Sequence, residues 1–166
     1  MRIRLRASWA NTLGSRSPAI SAAIIAEIGL DMSRFPTAGH LCSWAKFSPG
    51  INSSAGNTKG NGSTGHGNRY LARALGEAAV VAGRTDTFLG ERYRRIAKRR
   101  AKKRAMVAVG RSILVIVWHL LANDDARFTD LGPDHFTKHL NPDRQKRNHI
   151  HQLEALGYTV TLTPAA

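Results

Sequence analysis

The sequence predicts a mainly α-helical protein: a helix-hairpin-helix-like start, a glycine-rich loop, a helical bundle, and a short C-terminal tail with at most one or two strands. Three observations predict it. Apolar residues recur at three-to-four spacing through most of residues 18–121. Proline and glycine stand at the edges of those stretches. Strand-like alternation is confined to residues 158–162.

Residues 18–29 read as a short helix, with Ile20, Ile24, Ile25 and Ile28 on helical spacing, Pro18 near the start and Gly29 at the end. A turn over residues 31–36 follows. Thr37 can cap a second helix running to about Phe47, with Leu41, Trp44 and Ala45 on one side. Residues 50–67 contain six glycines in 18 positions and no acidic residue. No helix or central strand tolerates that density, so this segment reads as a loop. It opens into a helix over residues 68–82 whose apolar face is Tyr70, Leu71, Ala74, Leu75, Ala78 and Val81. Gly83 ends it, and Thr85 or Asp86 can cap the next. That helix carries Phe88, Leu89, Tyr93, Ile96 and Ala97, and its basic residues continue through Arg104. The apolar run over residues 106–121 is interrupted by Gly110, Arg111 and Ser112. A membrane span needs about 20 mostly apolar residues, so the run reads as a core helix. Pro142 can open a last helix through Leu156, and Gly157 stops it. The expected organisation is an Arg-rich extension over residues 1–17, a main domain over 18–131 and a tail over 132–166.

Charge gives the first functional clue. The chain of 166 residues has 25 Lys and Arg against 11 Asp and Glu, a net charge of +14. Cations near a phosphate chain release its condensed counterions, so a nucleic acid is the first candidate partner and an acidic membrane surface the second. Residues 84–104 hold ten basic and two acidic residues, which is more than half of the excess. Arg94, Arg95, Lys98, Arg99 and Lys102 are the candidate phosphate contacts of that stretch. Such contacts position a protein on nucleic acid without reading base sequence. The single cysteine, Cys42, excludes an intrachain disulfide and reads as a small buried hydrophobe. Residues 1–17 lack the continuous apolar stretch of a secretory signal, a transit peptide being the alternative.

The glycine-rich loop is the candidate site. Its backbone can approach an anion closely, the helix beginning near Asn68 points its positive end at it, and Lys59, His66 and Arg69 add charge; these three with Asn68 are the candidate nucleic-acid contacts of this segment. A serine there could bind a phosphate or attack one, while the bland alternative is a surface loop. Residues 60–65 match the dinucleotide pattern G-x-G-x-x-G, but the residues before them cannot form the buried strand it requires. No P-loop spacing occurs. His135 and His139 are four apart and His149 and His151 two apart, without the arrangement of a zinc site. Glu77, Asp86 and Glu91 read as ion-pair partners of basic helices. Asp124, Asp125 and Asp130 lie together but lack the strands of a two-metal nuclease. Trp44 and Trp118 sit in apolar patterns and read as core; Trp9 could stack on bases.

Three stretches resemble a known family. They are Ile24, Ala26, Glu27, Ile28 and Gly29 with Arg34-Phe35; Ser54-Ala55-Gly56 leading to Gly67-Asn68-Arg69-Tyr70-Leu71; and Arg84-Thr85-Asp86 through His119. They are similar to the C-terminal transposase domain of the insertion sequence 110 family, the DEDD or bridge-RNA-guided recombinases, over residues 18–131. The resemblance implies DNA transposition through a phosphoserine intermediate, with Ser54 as nucleophile. Ser53 is the neighbour that blurs the register, and Ala55 stands where the family commonly has glycine. It also implies Mg²⁺ held by an N-terminal RuvC-like acidic domain rather than by this chain, a structured guide RNA, DNA, self-association, and a bacterial cytoplasmic, nucleoid-associated setting. No acidic domain precedes Pro18, so a truncated copy, inactive by itself, is the expectation. A non-catalytic basic RNA- or DNA-binding module is the alternative.

Overall fold

The computed structural model describes residues 17–48, 52–54, 57–59, 64–138 and 142–163. The expectations for residues 1–16 including Trp9, for Ala55, Gly56 and His139, and for most of the 60–65 glycine pattern lie outside the described residues. The chain divides into two units, Met1–Pro133 and Asp134–Ala166. The first holds α1 (Ser17–Ile28), a 3-10 turn (Met32–Arg34), α2 (Ala38–Trp44), a hairpin of β1 (Asn52–Ser54) and β2 (Asn57–Lys59), α3 (Arg69–Ala82), α4 (Phe88–Arg99) and α5 (Lys102–Ala122). The second holds α6 (His135–Lys138) and α7 (Pro142–Ala155). The fold is mainly α, as the apolar spacing predicts.

Each helix of the first unit begins and ends for a local reason. Gly29 closes α1 at φ 79°, and its N–H reaches the Ile25 carbonyl at 2.8 Å. The Asp31 carboxylate accepts the Ser33 N–H at 2.9 Å and starts the 3-10 turn; the hydrogen bonds from Ser33 lower its pKa. Thr37 caps α2, as the sequence predicts. This helix stops at Trp44, short of Phe47. Lys46 donates to the Ser43 carbonyl (3.1 Å) and Phe47 to that of Cys42 (2.9 Å), the double bond of a Schellman ending. That ending turns Phe47 back into the core.

α5 is the central helix, with α2, α3, α4 and the 3-10 turn packed on it. Ala105, Val109, Gly110, Ile113, Leu114 and Val117 form its buried stripe. By length and composition α5 could cross a membrane, but this stripe packs into the common core with Leu71, Leu75 and Ala78 of α3. α1 packs on α3, while α2 packs on α5. The helix-hairpin-helix-like start is therefore two helices docked separately on the bundle.

Six local expectations are corrected. Tyr70, placed on the apolar face of α3, is 59% exposed, and Trp44, read as core, is 41% exposed. Both stand at helix ends, where one turn suffices to carry a side chain past the core edge. The cap of α4 is Thr87, which accepts the Gly90 N–H; the Thr85 hydroxyl is turned back to the Ala82 carbonyl at 2.8 Å. The basic helix does not run through Arg104: α4 ends at Arg99, and Lys102, Lys103 and Arg104 open α5. The strand expected over residues 158–162 is not formed, and among the described residues no second strand lies beside it to take its backbone groups. Strands form instead inside the segment read as pure loop, where Asn52–Ser54 and Asn57–Lys59 are free of glycine.

In the second unit, Pro142 opens α7 and Gly157 at φ 88° follows its end, as predicted. Leu153, Leu156, Tyr158 and Leu162 are exposed.

Candidate nucleic-acid interface

Reversal of the chain between α4 and α5 concentrates charge. Lys98, Arg99, Arg100, Lys102, Lys103 and Arg104 are all exposed, and none enters an ion pair among the described residues. The first two lie in the last turn of α4, where the negative helix end suits them. The last three occupy the first turn of α5, where the helix end is itself positive and cations are disfavoured. Ala101 supplies no capping side chain there. Six cations in seven residues, three of them against a helix dipole, make a surface that an outside polyanion stabilises.

Other residues of the basic stretch serve the fold. The Arg94 guanidinium donates to the Gly83 (3.3 Å) and Thr85 (2.9 Å) carbonyls and lies 3.5 Å from both Asp86 and Glu91. It ties the end of α3 to α4, so its predicted part in phosphate contact competes with a structural one. Arg95 and Arg92 are half-buried. Burial, then the charge of Arg95, lowers the pKa of Arg92. Asp130, from beyond α5, accepts the Phe88 N–H at 3.2 Å and the Gly132 N–H at 3.0 Å, placing an anion at the positive end of α4. Asp130 therefore serves the fold.

The serine segment precedes α3 in the chain. β1 and β2 pair antiparallel in the register Asn52↔Lys59, Ser53↔Thr58 and Ser54↔Asn57. Ser54 is thus the last paired residue of β1, and Lys59 the last of β2. The chain then passes the exposed His66 and enters α3. Asn68 caps that helix, accepting the Tyr70 and Leu71 N–H groups at 2.9 and 3.2 Å, while its amide donates to Glu27 of α1. Both ends of this side chain are occupied. Arg69 is exposed, stacked 4.8 Å from the Tyr70 ring and bonded to its hydroxyl at 2.8 Å. Sequence reasoning missed Tyr70 as a surface aromatic; its place at the first turn of α3 was the available signal.

A pocket of about 190 Å³ lies beside α3, lined in part by Lys46, Phe47, Gly76, Lys103, Met106 and Val107. Gly67 closes its side, pressed so near α2 that a Cβ there would stand 2.8 Å from the Ala45 carbonyl oxygen. Lys46, on the rim, is held at φ 59°. That region costs a residue with a Cβ about 1–2 kcal/mol. Gly76 lies within α3, where it is disfavoured against alanine by about 0.5–1 kcal/mol.

Among the described residues no three His, Cys, Asp or Glu side chains converge to hold a metal ion. Cys42 is buried, and burial pushes its thiol pKa up against the opposing charge of Arg111. No curated protein and no solved structure matches this chain. A protein-family model does: that of the transposase IS116/IS110/IS902 family, over residues 11–94. The chain belongs to the IS116/IS110/IS902 transposase family. The match spans α1, α2, the hairpin with Ser54, α3 and half of α4. It begins within the segment expected to lie outside the family, and it ends before the basic turn at residues 98–104. A family whose work is DNA transposition makes DNA the polyanion to consider for this chain.

Proposed function

We propose that this chain is the DNA-gripping, serine-bearing part of a transposase. The α4–α5 turn holds the phosphate backbone, and Ser54 attacks a DNA phosphodiester. The observation that carries the reading is the cluster of six exposed, unbalanced cations at the α4–α5 turn in a transposase-family chain. Lys98, Arg99 and Lys102 provide the grip with Arg100, Lys103 and Arg104; Lys59, His66 and Arg69 flank the serine segment in sequence. In the chemical step the Ser54 Oγ forms a bond to phosphorus as a phosphorus–oxygen bond to a deoxyribose breaks. The sugar oxygen departs with a proton, and the serine proton passes to solvent or a base. Because one phosphoester replaces another, rejoining needs no nucleotide triphosphate.

The Mg²⁺ implied by the family resemblance finds no ligand cluster among the described residues. It would require the acidic RuvC-like domain. A structured guide RNA, self-association and a cytoplasmic setting belong to the same proposal. The nucleophile is tested by supplying the chain with such a domain from the family and labelled DNA, then denaturing the mixture. Wild type and Ser53→Ala should retain a covalent DNA adduct, and Ser54→Ala should lose it. An adduct that survives Ser54→Ala excludes this serine.

A further inference from the structure

Two residues of the pocket beside α3 break the preference of their own local structure. Lys46 occupies a left-handed position at φ 59°, where glycine is favoured. Gly76 lies inside a helix, where alanine is favoured. The stem of Lys46 packs along Gly65 and Gly67, but the hydrogen bonds of the helix end account for neither residue. The bonds that close α2 are donated by the backbone N–H groups of Lys46 and Phe47, so the lysine side chain is not needed for them. A Cβ at Gly76 would meet the Met106 methyl at 3.4 Å, an ordinary contact. What the two share is the pocket, to which Lys46 brings a cation and Gly76 brings depth. Local rules that fail together at one cavity point to function there.

The cavity itself narrows the occupant. Its volume of about 190 Å³ lies below the roughly 300 Å³ at which drug-sized sites begin. Apolar cavities of about 150 Å³ take up benzene, so a pocket of about 190 Å³ has room for one planar base. Phe47, Met106 and Val107 give apolar walls, while Lys46 and Lys103 bring positive charge, and Lys103 continues into the basic turn. A flat apolar ring joined to an anion is the chemistry of a nucleotide. We propose that the pocket receives one nucleobase swung out of the DNA stack, with its flanking phosphates held by Lys46 and Lys103. This rests on the DNA-binding reading above and adds a preference for DNA whose bases are already unpaired.

The test uses the full chain and three labelled duplexes: one with a single unpaired adenine, one with an abasic residue in its place, and one fully paired. Base uptake should make the adenine duplex bind about tenfold tighter than the abasic one, the scale of one base–protein stacking contact. Gly76→Leu, which fills the pocket, should bring that ratio to one while leaving affinity for paired DNA. Gly76→Ala should raise Tm by about 2–5 °C, and Lys46→Gly should not lower it. A wild-type ratio of one, a ratio unchanged in Gly76→Leu, or a preference seen only with the RNA counterparts overturns the proposal, as does loss of stability in both Gly76→Ala and Lys46→Gly. Equal binding of all three duplexes removes the pocket reading and leaves the DNA interface standing. Binding of none removes both.

Discussion

At the residue scale, Asn68 and Arg94 illustrate how a polar side chain beside a basic surface can belong to the fold. Asn68 satisfies two N–H groups at the start of α3 and reaches Glu27 of α1. Asn68→Ala should destabilise the first unit by about 1 kcal/mol, the usual worth of a side-chain N-cap, read as a Tm decrease of a few degrees. Arg94→Ala removes charged donors from the Gly83 and Thr85 carbonyls. Its cost should be about 1–2 kcal/mol in chemical denaturation, with a DNA salt dependence close to that of wild type. Arg94→Ala that is fully stable yet weak on DNA would place this guanidinium in the interface instead. The sequence lists Arg94 with its basic neighbours because charge alone cannot tell a committed guanidinium from an available one.

At the scale of elements, α4 meets the end of α3 so closely that a Cβ at Gly90 would stand 2.1 Å from the Thr85 carbonyl oxygen and 2.6 Å from that of Ala82. Gly90→Ala should therefore cost about 3 kcal/mol or more as the two helices are forced apart, measurable by denaturant titration. Helices were legible wherever apolar spacing and punctuation agreed: Gly29, Thr37, Asn68, Gly83 and Gly157 all stand at or beside the ends they predict. The α4–α5 reversal was not legible. Arg100 and Ala101 carry neither glycine nor proline, and the break follows from the need to lay the apolar stripe of α5 back against α3 and α4. The hairpin was hidden because six glycines were averaged over 18 residues, whereas they spare the two short strands. The candidate site divides the same way. The charge and the glycine-rich segment could be read from composition, but the pocket could not, since it joins residues 46, 76 and 103 through tertiary packing.

At the scale of the whole molecule, 25 Lys and Arg cannot be balanced by 11 acidic residues, and the first unit places six exposed cations of the excess at one helix–helix turn. Phosphate contacts of this kind carry a thermodynamic mark, because each releases counterions and makes affinity fall with salt by about 0.9 in log K per log salt. The family relation makes DNA the polyanion to use, and the location of the turn names the residues to remove. The most direct test is the salt dependence of duplex DNA binding by the full chain and by a variant with Lys98, Arg99, Lys102, Lys103 and Arg104 changed to Ala. Wild type should bind with a steep negative slope, and the variant should keep its fold while its slope becomes shallower by about 3–5 units. A folded variant with the wild-type slope would contradict the account and remove the α4–α5 turn from the DNA interface.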